Sequence, residues 1–323
     1  MKAVAVVQAR MGSTRLPGKV LMDLAGDTVV GRILQRLDAC MALDDSLVAT
    51  TSQPEEQPLI DHLQSRGRKV WVYAGDENDL VGRYLTAADH FDAEIIVIVC
   101  GDCPLLHPPS IDRMVEHLRT NPELDHVGFS TPSIEGGVAV VHKRALERIV
   151  REGATGNYRE HSTLYIHEHS DRFKMGGVPA EPIFQDIEHR LWLDTAADLE
   201  FLRTIYRRFL PTHGIVSLPD VVCALKAEPE LRALNGHVKQ RDPKLTAKRV
   251  LIIHHEGIEL TELGRALTER LGVSVDFVCA GETAEEAAYD CIFQLEERSD
   301  YDSVEEVNET VLRVKSALLE EDG

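Results

Sequence analysis

Apolar and polar positions along the chain follow two alternating periods. Short apolar runs at 4–7, 47–51, 70–73, 95–100, 126–130, 138–141 and 191–194 predict β-strands. The runs at 4–7 and 95–100 are almost wholly apolar, as suits central strands covered by helices on both faces. Helix-length amphipathic stretches lie between them, near 28–40, 55–66, 77–90, 109–119, 143–152, 158–168 and 195–209. In the first, Ile33, Leu34 and Leu37 recur at helical spacing, with Arg32, Arg36 and Asp38 between them. Strand, helix, strand in series predicts an α/β domain with a mostly parallel sheet. Ligands of such sheets bind at the carboxyl ends of the strands, so the residues after each strand are the first candidates for chemistry.

Pro211, Gly214 and Pro219 punctuate a boundary near 210–248, and a polar run closes it at 239–248. A smaller pattern then restarts, with strands at 250–253 and 273–278 and helices near 258–271, 283–297 and 303–319. The expected organisation is a domain over 1–245, its core reaching about 215 with a helical extension after it, and a small α/β appendage over 246–323.

Composition narrows the class. Apolar residues make up 43% and charged residues 28% of the 323, which excludes a fibre and a wholly disordered chain. The sequence has no apolar run of about 18 residues, so no membrane partner is expected. The apolar start meets Gln8 and Arg10 too soon for a signal peptide. Six cysteines make no disulfide scaffold, and the expected compartment is the cytoplasm, with reduced thiols. The net charge of −19 argues against nucleic acid as a partner. Residues 246–323 hold 7 Lys/Arg and 19 Asp/Glu, a net of −12. A solvated helical face explains that acidity, and a docking module for a partner protein is the sharper reading.

The densest chemistry follows the first strand, in Gln8-Ala9-Arg10-Met11-Gly12-Ser13-Thr14-Arg15-Leu16-Pro17-Gly18-Lys19. Glycines let backbone N–H groups approach an anion, and Arg10, Arg15 and Lys19 can neutralise a polyphosphate. Gly12 and Gly18 are separated by five residues and Val20 follows Lys19, so this is not a Walker A loop. A solvated basic turn is the plain alternative. Asp102 and Asp194 each follow a predicted strand, where a carboxylate pair could hold Mg²⁺ against phosphates. Either could instead cap a turn or helix. Arg83 stands four residues after Asp79, the spacing of a helical ion pair. The Arg159-Glu160-His161 triplet opens a helix that surface exposure alone would explain. Cys100 and Cys103 have redox or zinc spacing, but no second cysteine pair accompanies them.

The run from Gln8 to Leu21 resembles the signature of the sugar-nucleotide cytidylyltransferases, in particular the spore-coat polysaccharide biosynthesis branch, which is related to the CMP-KDO and CMP-acylneuraminate synthetases. Five more segments match that family in order: Val48-Ala49-Thr50-Thr51, the stretch from Gly75 to Tyr84, Gly101-Asp102-Cys103-Pro104-Leu105, Arg159-Glu160-His161, and the stretch from Leu193 to Glu200. Together they cover about residues 2–240.

The resemblance implies a Rossmann-like three-layer sandwich of the nucleotide-diphospho-sugar transferase kind. It implies a nucleotidyltransferase that joins CTP to a sugar acid, or to a phosphorylated or phosphonate acceptor, and releases pyrophosphate. Ala9, Arg10, Gly12, Ser13, Thr14, Arg15, Lys19, Asp79 and Arg83 would then bind the nucleotide. Arg15, Lys19 and Asp102 would be catalytic, Asp102 and Asp194 would hold Mg²⁺, and Arg159 and His161 would face the acceptor. A homodimer is implied in the same way. Two rivals stay open: a transferase of related fold that consumes a preformed nucleotide sugar, and a nucleotide-sensing protein without catalysis.

Overall fold

The computed structural model describes residues 1–13, 15–211, 214–238, 249–254, 260–271, 273–279, 291–295, 307 and 310–314. The chain divides into two compact units, Met1–Val238 and Lys239–Gly323.

In the first unit, β1 (Ala3–Gln8), β2 (Asp45–Thr51), β3 (Val70–Tyr73) and β4 (Ile95–Cys100) are separated by α1 (Val29–Leu37), α2 (Gln57–Ser65) and α3 (Leu80–His90). Then follow α4 (Pro108–Thr120), β5 (His126–Phe129), β6 (Val138–His142), α5 (Lys143–Arg151), α6 (Asn157–Glu160), α7 (Ser162–Glu168) and β7 (Met175–Val178). The unit closes with α8 (Pro182–Gln185), α9 (Ala196–Phe209), α10 (Leu218–Ala227) and α11 (Pro229–Ala233). The sheet runs β3-β2-β1-β4-β6-β5-β7. Only the β4–β6 and β5–β6 pairings are antiparallel, which gives the mostly parallel α/β sheet that the alternating pattern predicts.

Strand alternation divides the core in two. Ala3, Ala5 and Val7 of β1 pack on one face with Ile33 of α1, Met114 of α4 and Phe201 of α9. Val4 and Val6 point the other way, toward Tyr84 of α3, Leu146 of α5 and Ile166 of α7. This period-2 division is the physical content of the three layers.

Several expectations are corrected. Residues 191–194 are not a strand: the Asp194 N–H donates to the Asp198 carboxylate at 3.0 Å, which removes it from any ladder. The helix expected over 158–168 breaks at His161 (φ −113, ψ 74) into α6 and α7. β7 was missed because Gly176 and Gly177 interrupt the apolar pattern. Strand β6 runs longer than expected, ending at His142.

The second unit has β8 (Arg249–His254), α12 (Thr261–Leu271), β9 (Ser274–Cys279) and β10 (Cys291–Gln294). Its parallel sheet has the order β10-β8-β9. β10 falls where a helix over 283–297 was expected, since Cys291-Ile292-Phe293 is an apolar run that pairs with β8. The rest of that helix, and much of the one expected over 303–319, lies outside the described residues. Among the described residues, no helix is long and apolar enough to cross a membrane.

Candidate active site

The loop after β1 is held from three sides. The Ala9 N–H donates to the Ala49 carbonyl of β2 at 3.2 Å. The Met11 N–H reaches both oxygens of Glu56 at 3.0 Å, and the Thr50 hydroxyl donates to the same carboxylate at 2.8 Å. Glu56 is buried, and that burial pushes its carboxyl above the usual range despite these donors. Within the loop, the Ser13 and Gly18 N–H groups converge on the Met11 carbonyl at 2.9 and 3.0 Å. Gly18 has φ 69, a left-handed conformation that glycine adopts without strain, and it starts the short turn carrying Lys19. Gly12 is exposed, and Thr14 lies outside the described residues.

Lys19 reaches from this turn to the end of β4. Its Nζ donates to Asp102 Oδ2 at 2.7 Å, to the Leu193 carbonyl at 2.7 Å and to Asp194 Oδ1 at 2.9 Å. Asp102 is set by Gly101, whose N–H donates to the Gln8 carbonyl at 2.9 Å. A Cβ at Gly101 would stand 2.3 Å from that carbonyl, so only glycine lets the ends of β1 and β4 come this close. Asp194 is brought in by the Leu193 N–H, which donates to the Asp102 carbonyl at 2.8 Å. Arg15 Nη2 lies 2.9 Å from Asp194 Oδ2 and Arg190 Nη2 lies 3.2 Å from the same oxygen.

Three cations therefore surround one buried carboxylate. Burial works against both charges, but Lys19, Arg15 and Arg190 hold Asp194 below the usual carboxylate range. In the same way the two aspartates outweigh burial and hold the Lys19 ammonium above the usual lysine range.

Asp198, fully buried, supports this turn. It accepts from Arg190 Nε at 3.0 Å, Asn235 Nδ2 at 2.9 Å, the Thr195 N–H at 3.0 Å and the Asp194 N–H. Thr195 and Asp198 also form a capping box that starts α9.

A second polar group lies beside α3. Asp79 caps that helix through the Gly82 N–H at 2.8 Å, accepts from the Tyr73 hydroxyl at 3.0 Å and pairs with Arg159. The helical pair that the Asp79–Arg83 spacing allows is not made, and Asp79 pairs with Arg159 instead. Arg83 is buried and donates instead to the Glu77 carbonyl. Burial depresses its guanidinium, with Arg10 adding repulsion. Arg83 Nε and His161 Nε2 are buried without a hydrogen-bond partner among the described residues. Arg10 stands 3.7 Å from Glu77, at the rim. Arg15, Lys19, Asp102 and Asp194 thus converge at one point, while Asp79, Arg83 and Arg159 gather at another.

The donor set suits a hard divalent cation. Two carboxylate oxygens and a carbonyl oxygen lie within 3 Å of one point, which the Lys19 ammonium marks. Among the described residues, no group of three or more His, Cys, Asp or Glu forms a full cage. Mg²⁺ needs none, since it keeps waters and takes phosphate oxygens. Cys103 is buried and its thiol is raised well above the ordinary range, first by its contact with Cys100 and then by burial, which suits packing and not redox exchange.

Sequence reasoning missed Glu56, Arg190, Asp198 and Asn235. Only Asp198 carried a signal, as the acid three residues after Thr195.

Residues 4–208 match the family model described as cytidylyltransferase. The spore coat polysaccharide biosynthesis protein SpsF of Bacillus subtilis is 29% identical over 231 residues, covering 70% of this chain and 94% of that protein. The 3-deoxy-manno-octulosonate cytidylyltransferase of Trichlorobacter lovleyi is 33% identical over 124 residues, 38% of this chain and 48% of that enzyme. The solved structure of a cytidylyltransferase from Leptospira borgpetersenii is similar, with a TM-score of 0.65 at 30% identity, covering 72% of this chain and 97% of that one.

Proposed function

The chain belongs to the cytidylyltransferase family, and from that premise we propose that it is a Mg²⁺-dependent enzyme that transfers the cytidylyl group of CTP to an oxygen of a small acceptor. The acceptor oxygen attacks the α-phosphorus, a hydroxyl acceptor giving its proton to solvent, the bond to the bridging oxygen breaks, and pyrophosphate leaves with the electron pair. The observation that carries this reading is the convergence of Lys19, Asp102 and Asp194 beside a loop that also bears Arg15.

Arg15 and Lys19 bind the triphosphate, Arg as a fork and Lys as a point charge. Ser13, Gly12 and Thr14 supply loop contacts around it. Asp102 and Asp194 hold Mg²⁺, which when bound supplies charge neutralisation and orients the phosphates. Lys19 then exchanges carboxylate partners for phosphate oxygens. The group around Asp79 and Arg83 receives the nucleoside end, with Arg10 at the rim. Arg159 pairs with Asp79 and so stands with that group, while His161 keeps the place facing the acceptor that the family resemblance implies. The acceptor is a sugar acid, as the name of the 3-deoxy-manno-octulosonate cytidylyltransferase has it for that relative, or a phosphorylated or phosphonate compound. These roles are confined to the first unit.

The test is thermal stability with each nucleoside triphosphate, with and without Mg²⁺. A ligand at about 100 times its Kd stabilises by ~2.7 kcal/mol. A Mg²⁺-dependent shift for CTP alone is expected. A shift for another triphosphate alone overturns the base assignment, and a shift only for preformed nucleotide sugars overturns the reaction.

A further inference from the structure

Asp102 rides on a turn that is held at both ends. Upstream, the Gly101 N–H is tied to the Gln8 carbonyl. Downstream, two buried side chains hold the carbonyls that follow. The Tyr206 hydroxyl of α9 donates to the Pro104 carbonyl at 2.6 Å. Arg36 of α1 donates to the Leu106 carbonyl at 2.5 Å and to the Val216 carbonyl at 2.7 Å. Pro104 has no N–H, so its carbonyl is the one backbone group through which a hydrogen bond can hold that position.

Packing alone does not account for these two polar groups. Arg36 and Tyr206 are each 1% exposed. Arg36 lies on α1 between the core residues Ile33 and Leu37. Among the described residues no carboxylate pairs with it, and its two printed bonds go to carbonyls. A buried charge without a carboxylate is costly, and an apolar side chain of similar volume is often neutral or better. What the guanidinium supplies is reach, since it joins α1 to carbonyls 70 and 180 positions away in the chain. Burial pushes the Tyr206 hydroxyl above its usual range, although Arg36 works against it, so the hydroxyl stays protonated and donates.

The second carboxylate hangs on the same helix. Thr195, directly after Asp194, caps the start of α9, and Tyr206 lies near its other end. One helix therefore carries the Asp194 turn and the anchor of the Asp102 turn.

We infer that Tyr206, backed by Arg36, is a positioning residue for Asp102, and that α9 thereby fixes the separation of the two carboxylates that meet at Lys19. The inference rests on the proposed role of Asp102 in holding Mg²⁺. Both side chains act through the turn at 102–106. Without the hydroxyl, the Pro104 carbonyl loses its donor and the Asp102 carboxylate drifts from the point that Lys19 marks.

Tyr206→Phe tests this on the full chain, because it keeps the ring and its packing and removes one donor. Mg²⁺ alone and CTP alone in the presence of a chelator would each be titrated, reading the rise in melting temperature. The apparent Kd for Mg²⁺ should rise about tenfold or more, as when an outer partner of a metal ligand is lost. CTP without metal should bind no more weakly than in the parent. Arg36→Met should act in the same direction, and Arg36→Lys, which keeps a donor, should recover part of the affinity. In an Asp102→Asn background, Tyr206→Phe should cost less than about twofold further, because residues that act as a unit are not additive. An equal cost in both backgrounds, or Mg²⁺ and CTP affinities that fall together, overturns the inference. If Asp102→Asn weakens Mg²⁺ binding and Tyr206→Phe does not, the positioning role alone falls. If Asp102→Asn binds Mg²⁺ as the parent does, or the parent shows no Mg²⁺ response, the metal role of Asp102 falls and the inference with it.

Discussion

Lys19 and Asp194 are 175 positions apart in the chain and 2.9 Å apart in the structure. The contact joins the loop after the first strand to the turn before α9, and Asp102 enters it from the end of β4. One ammonium therefore holds two like charges that would otherwise repel. Replacing Lys19 by Met should destabilise the fold by about 3–5 kcal/mol, since the pair is largely buried and its carboxylates lose their shared cation. Cytidylyl transfer should fall by ~10²–10³-fold. Mg²⁺ alone should raise the melting temperature of this variant more than that of the parent. An equal response in both would show that the carboxylates do not hold the metal.

Asp102→Asn separates holding a metal from holding the fold. The amide keeps the shape of the turn, and the backbone bonds from the Gly101 and Leu193 N–H groups do not involve the side chain. Pyrophosphate release with CTP should drop by orders of magnitude, while the melting temperature falls less than in Lys19→Met, since Lys19 keeps Asp194 and the Leu193 carbonyl. A variant that keeps turnover would remove Asp102 from the chemistry.

The sheet was legible because strand and helix periods differ, and because the central strands are nearly all apolar. The first-loop cations and Asp102 were legible because sequence places them directly after β1 and β4. What the sequence hides is which polar residues are buried. Glu56 sits in Pro54-Glu55-Glu56-Gln57, a run that reads as solvated helix start, yet it is 2% exposed and anchors the Met11 N–H. The Asp79–Arg83 spacing suggested a pair, but a rival cation 80 positions away takes the carboxylate. Asp194 was placed at a strand end that does not exist. A buried carboxylate, not a ladder, sets its position.

Glu56 offers a test of loop anchoring without touching a phosphate-binding side chain. Glu56→Ala leaves the buried Thr50 hydroxyl and the Met11 N–H without their acceptor, at about 1–3 kcal/mol. The KM for CTP should rise more than kcat falls, because the loop loses preorganisation. Glu56→Gln keeps an acceptor oxygen and should fall between. Steady-state kinetics with urea midpoints would read both effects, and an unchanged KM in the Ala variant would refute the anchoring role.

The ion cluster also fixes a pH dependence. Asp194 is depressed when folded, so its contribution is complete above its unfolded value of ~3.9 and is lost as pH falls through the folded value. Lys19 is raised, so its share is complete below ~10.4 and is lost as pH rises through its folded value. Unfolding free energy should therefore fall on the acid side at low pH, and Asp194→Asn should flatten that limb. Urea titrations at pH 3 and pH 7 compare the two, and an acid limb of equal slope in the variant would assign the dependence to other carboxylates.

Asp198 is the residue on which the geometry of Asp194 depends. It is fully buried and receives Arg190, Asn235, Thr195 and the Asp194 backbone at once. Asp198→Ala removes the main carboxylate facing a buried guanidinium, a loss of about 3–5 kcal/mol. At this chain length the melting temperature should fall on the order of 10 °C. Released from Asp198, Arg190 has Asp194 as its nearest remaining carboxylate, and a tighter pair there competes with a metal. Mg²⁺ affinity should then weaken even though Asp198 touches no ligand. Asp198→Asn, which keeps acceptor capacity toward the backbone N–H groups, should recover part of the stability but less of the metal affinity. Calorimetric melting together with Mg²⁺ titration separates the two losses. Stability lost with Mg²⁺ affinity intact in both variants would leave Asp198 a purely structural residue.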